Sequence, residues 1–127
     1  MKKSFVVLLA FASFYSMAGK YRPIYNTSFE VTEDLGKKDV ESAIKKALIR
    51  RGWTIKETKN GHIAAKIHVR SHRAEIAIAY SKKEISITYV DSANLGYRNK
   101  KGEELIHGNY NRWIANLERT IQDQLLE

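Results

Sequence analysis

The sequence predicts an α+β fold: a two-layer sandwich in which an antiparallel sheet carries two helices on one face. Three observations predict it. Apolar residues recur at helical spacing in two segments, Val40 to Arg51 and Tyr110 to Leu125. Between Tyr25 and Tyr89 apolar and polar residues alternate with period two in five further segments. Short polar turns join the later strands, which favours an antiparallel meander. The expected order is β-α-β-β-β-β-α, and an apolar sheet face with two amphipathic helices is most economically closed by laying both helices on that face.

The chain opens with an address. Met1-Lys2-Lys3-Ser4 is a positive start, Phe5 to Phe14 is an apolar run, and Ser16 and Ala18 stand at the −3 and −1 positions of a cleavage site. The run is shorter than the roughly 20 apolar residues that a membrane span needs. We therefore read 1–18 as a signal peptide and 19–127 as one α+β domain, exported and periplasmic or secreted. No Cys follows the apolar run to take a lipid. The absence of Cys throughout also excludes a disulfide scaffold, a thiol active site and a Cys-ligated metal. With 43% hydrophobic and 28% charged residues, the 127-residue chain has the composition of a globular protein.

In order along the domain, Gly19 to Pro23 reads as a loose N-terminus. Tyr25, Thr27, Phe29 and Val31 form the inner row of the first strand. Val40, Ala43, Ile44, Ala47, Leu48 and Arg51 define the first helix, with Thr32, Asp34 or Asp39 as its cap and Gly52 at the position after its end. Trp53 and Ile55 begin the next strand. Asn60-Gly61 signals a type I′ hairpin, followed by the rows Ile63-Ala65-Ile67-Val69, Ala74-Ile76-Ile78-Tyr80 and Ile85-Ile87-Tyr89, with turns at Ser71 to Arg73 and at Lys82-Lys83. A polar loop is expected around Asn99 to Gly102. The second helix presents Tyr110, Trp113, Ile114, Leu117, Ile121 and Leu125 as one stripe, with Asn109 as its cap.

Several stretches resemble a family of small proteobacterial envelope proteins, mostly predicted lipoproteins of unassigned function. They are Tyr25-Asn26, Arg51-Gly52-Trp53, Ile87-x-Tyr89-x-x-Ser92-x-Asn94-Leu95 and Ile106-His107-x-x-Tyr110-Asn111-x-Trp113-Ile114-x-Asn116-Leu117. The resemblance implies an envelope compartment and no particular reaction. This chain departs from the family in lacking the lipid-bearing Cys.

Four groups of residues bear on function. Asp91, Ser92 and His107 have the residue types of a hydrolytic triad, but neighbours on a strand point to opposite faces and no nucleophile elbow presents the Ser. His62 and His68 lie about 20 Å apart along one strand, too far to share a metal, and His68 and His72 lack a third ligand; no metal or cofactor is expected. Asn94, Tyr97, His107, Tyr110 and Asn111, with Trp113, suggest an aromatic and amide-lined recess beside the second helix, although the same residues suit core packing and loop bonding. Lys56, Lys66, His68 and Arg70 read as a basic outer sheet face in a chain of net charge +8. Export argues against nucleic acid as the partner. The expected function is a non-catalytic envelope binding or adaptor module for an anionic envelope component or an acidic protein. The alternative is a small periplasmic enzyme, or an inhibitor of a lytic enzyme, that uses the Asp91–Gly108 loop and His107.

Overall fold

The computed structural model describes residues 20–127; the expected leader 1–18 and its cleavage point lie outside the described residues. The chain runs β1 (Tyr21–Pro23), β2 (Thr27–Glu30), α1 (Lys37–Arg50), β3 (Thr54–Lys59), β4 (His62–Val69), β5 (His72–Tyr80), β6 (Glu84–Ala93), β7 (Arg98–Lys100), β8 (Glu103–His107) and α2 (Gly108–Leu125). The α+β sandwich is as expected, with one addition. A five-stranded antiparallel sheet, ordered β2-β6-β5-β4-β3, is joined by a three-stranded sheet ordered β1-β8-β7.

The main sheet follows from its alternation. Ile63, Ala65 and Ile67 of β4, Ala74, Ile76, Ile78 and Tyr80 of β5, and Ile85 and Ile87 of β6 are all buried. They meet Val40, Ala43, Ile44, Ala47 and Leu48 of α1 and Tyr110, Ile114, Leu117, Ile121 and Leu125 of α2 in one core. Each such aliphatic side chain contributes roughly 2 kcal/mol on burial. A bulge in β6 keeps this pattern consistent with the charges. Tyr89 pairs with Ile76 but Asp91 pairs with Glu75, leaving Val90 unopposed and 54% exposed. Without that extra residue, Asp91 would share the inward parity of Ile85 and Ile87; the bulge turns it to solvent.

The helix ends differ from expectation. Gly36, not Thr32, Asp34 or Asp39, is the N-cap of α1, and the Asp39 carboxylate accepts from the Gly36 N–H at 3.2 Å. An acid three residues into the helix thereby satisfies a cap that itself has no side chain. The other end is as read: Gly52 has φ +87°, its N–H donates to Ile49 O at 3.1 Å, and Trp53 N–H donates to Leu48 O at 2.8 Å. That 5→2 and 6→1 pair is a Schellman motif. In α2 the cap is His107, whose Nδ1 accepts from Asn109 N–H at 3.1 Å; Asn109 lies inside the helix. Trp113 is only half-buried, because the buried stripe is centred one residue further on, at Ile114. Thr120 and Gln124 complete the buried side of α2.

Two segments read as irregular are strands. Residues 21–23 pair with β8, Tyr21 opposite His107, and Gly108 N–H donates to Lys20 O at 3.0 Å. The expected loop at Asn99 to Gly102 is the tip of the β7–β8 hairpin, with Lys100 opposite Glu103. Both central residues, Lys101 (φ +55°) and Gly102 (φ +89°), are left-handed, as a type I′ turn requires. At Asn60-Gly61 only Gly61 is left-handed, so that hairpin is not type I′. The β4–β5 turn is Arg70-Ser71, with Val69 opposite His72, so it ends before Arg73. Among the described residues no helix is long and apolar enough to cross a membrane.

Candidate functional site

The open face of the main sheet carries Lys56, Lys66 and His68, with Arg70 at its rim in the β4–β5 turn. Strand pairing brings an acid to both lysines and, through Arg73, two more ion pairs to the same face. Lys56 Nζ lies 3.0 Å from Glu75 Oε1, and Glu75 also stands opposite Lys66. Arg73, opposite His68, binds Glu75 at 2.8 Å and Asp91 at 3.3 Å. Over the whole face, Lys56, Lys59, Lys66, Arg70 and Arg73 are matched in number by Glu30, Glu57, Glu75, Glu84 and Asp91. The face is charged and mixed, with no cationic excess.

The five residues of the expected recess do not converge. Asn94, at φ +62°, donates to Ser71 Oγ at 2.7 Å, and its carbonyl sits 2.6 Å from His72 Nδ1; it fastens the β6 end to the β4–β5 turn. Asn111 donates to Pro23 O at 2.9 Å and accepts from Tyr25 N–H at 3.0 Å. Its amide thus fills the bonds a neighbouring strand would make along the chain just after β1. His107 caps α2. Tyr110 is fully buried, with the Tyr89 ring edge-on at 5.6 Å, and among the described residues its hydroxyl has no partner. Burial pushes the Tyr110 phenol pKa up. Tyr97 stays at the surface: it is 40% exposed, stacks flat on Tyr89 at 5.1 Å, and donates to Glu104 at 2.8 Å. That carboxylate raises the Tyr97 pKa.

The triad types are equally separate. Asp91 is held by Arg73, the Ser92 hydroxyl lies 2.7 Å from the Tyr89 hydroxyl, and His107 Nδ1 serves the helix cap. Among the described residues no three His, Cys, Asp or Glu side chains could hold a metal ion.

What sequence reading missed is the small sheet as a platform. Its outer face shows Tyr21, Arg98 and Lys100, with Glu103, Leu105 and His107 on the strand between them. The Arg98 guanidinium lies over the Tyr21 ring at 4.2 Å, and His107 meets that ring edge-on at 6.4 Å. Gly96 closes the other side: a Cβ there would lie 2.5 Å from Tyr21 Cε1. The hairpin tip adds Lys101. Next to β1, an open groove of about 550 Å³ runs over Pro23, Ile24 and Ala115 between Arg22 and Arg112. The only sequence signal for this platform was the basic run Arg98 to Lys101, interrupted by Asn99.

Compared with models of known protein families and with characterised proteins, the chain matches none. The resemblance of its Tyr25-Asn26 and Ile106-to-Leu117 patterns to small envelope proteins therefore rests on those residues alone.

Proposed function

We propose that this protein is an exported, non-catalytic binding module of the cell envelope whose partner is an acidic protein engaged by the small sheet. One observation carries the reading: the segment expected to be a loop is a built hairpin, with Arg98 and Lys100 on the face that carries Tyr21 and Lys101 at its tip. The Tyr21 ring, held under a guanidinium, loses little freedom on contact, and the cations around it select an acidic surface. The separate partners of Asp91, Ser92 and His107 support binding over hydrolysis. The test is titration with poly-glutamate at low and physiological salt, beside the variant Arg98→Glu/Lys100→Glu/Lys101→Glu. Binding should weaken with salt and fall at least about tenfold in the variant. A variant that binds like the parent overturns the reading.

The hairpin also favours a second reading, inhibition of a lytic enzyme. A narrow basic hairpin with a two-residue tip suits a cleft lined by the paired carboxylates of a glycosidase. Peptidoglycan lysis assayed with and without the protein decides between plug and bystander.

A further inference from the structure

We infer that the solvent face of α1, with the last turn of α2, is a docking surface for an anionic lipid bilayer. From Lys37 to Arg51 the chain carries six cations and two acids. Both acids are engaged: Asp39 accepts from Gly36 N–H, while Glu41 pairs with Lys45 at 2.8 Å and accepts from Tyr80 OH at 2.9 Å. Among the described residues no carboxylate lies within 4.0 Å of Lys38, Lys46 or Arg50, three exposed cations. This excess is local, since the open sheet face is balanced.

Two exposed aliphatic side chains stand here, Ile49 within the cationic field and Leu126 at the adjoining end of α2. Ile49 is 68% exposed and Leu126 is 72% exposed, the highest values among the large apolar residues described. A shallow groove of about 430 Å³, lined by Lys46, Ile49, Arg50, Gln124 and Glu127, connects the two regions. Glu127 is the one acid that lines it. A scattered exposed Leu or Ile is ordinary; one set among unpaired Lys and Arg, with a second at the adjoining helix end, forms the pattern of an interfacial contact. The cations meet the headgroups and the aliphatic tips enter the acyl boundary. Two protruding side chains suit a fluid surface better than a protein pocket, which would need a fixed complementary cavity for each.

This inference goes beyond the acidic-protein reading and uses a different surface. The hairpin adjoins the N-terminus of α2, whereas Leu126 follows its C-terminus. The 18 residues between span about 27 Å, so both surfaces can be engaged together.

The experiment is co-sedimentation of the protein with vesicles of phosphatidylglycerol and phosphatidylcholine, against phosphatidylcholine alone, at two salt concentrations. Binding is expected on the anionic vesicles only. Lys46→Gln/Arg50→Gln should lower the affinity roughly thirtyfold, about fivefold for each cation removed. Ile49→Ser/Leu126→Ser should weaken binding even at the higher salt, and Lys66→Gln/Arg70→Gln on the balanced face should leave it unchanged. Equal binding to neutral vesicles overturns the inference, as does full retention by both helix variants. The hairpin variant separates the two proposals: vesicle binding lost there but kept by the α1 variants refutes this docking surface, whereas the poly-glutamate titration alone judges the hairpin.

Discussion

Replacing Tyr110 with Phe should make the protein more stable. The ring is fully buried, and Phe keeps its volume and its edge-on contact with Tyr89. Only the oxygen is removed, and that oxygen has no hydrogen-bond partner among the described residues. A hydroxyl taken from water without a compensating bond costs about 1–3 kcal/mol. The small void left by the oxygen takes back a fraction of that. The expected gain is about 1 kcal/mol, which for a domain near 100 residues raises Tm by roughly 4 °C. Urea denaturation followed by circular dichroism measures it, with an unchanged slope showing that the unfolded state is the same. The gap should also widen in alkali. In the unfolded chain the phenol ionises near its ordinary value of 10.0, whereas burial raises the folded value. The stability linked to this phenol is therefore intact below pH 10 and is lost as pH rises beyond it, and Phe cannot lose it. A Phe variant less stable than the parent by 1 kcal/mol or more would refute the reasoning, because it would mean that the hydroxyl is bonded.

Two further substitutions probe the small sheet and the edge of the core. Gly96→Ala places a methyl 2.5 Å from the Tyr21 ring at a residue with φ +66°, so it should cost about 2–3 kcal/mol and expose the β1 amides first in hydrogen exchange. Trp113→Ala should cost about 1.5–2.5 kcal/mol in a denaturation midpoint, less than the roughly 3–5 of a fully buried ring, since Trp113 packs at the margin of the stripe.

The main sheet and both helices were legible because their information is local. Ile63, Ala65 and Ile67 declare a strand within five residues, and Tyr110 to Leu125 declare a helix face within four turns. The small sheet was not legible, for a physical reason. Tyr21-Arg22-Pro23 and Arg98-Asn99-Lys100 are too short to show alternation, and both gain their structure from β8. The tip fails the usual signal as well, since Lys101 takes a left-handed conformation that Asn or Asp commonly occupies. The site was misread for a related reason. Lys66, His68 and Arg70 look basic along one strand, but Glu75 and Asp91 arrive from the next two, and charge on a sheet is decided across strands. Asn94 and Asn111 drew attention as polar residues beside aromatics; both proved to be fasteners of backbone.

The pairing of β1 with β8 has a consequence for the order in which the molecule closes. Tyr21 meets His107, 86 residues later, and the Asn111 amide that completes the edge comes later still. Whenever the chain emerges from its N-terminus, β2 to β6 have all their strand partners before β1 has any. The first strand to appear is thus among the last to be locked, and until residues 103–111 arrive, whatever precedes Lys20 joins a segment without its tether. β1 therefore stays open to other contacts for that whole interval.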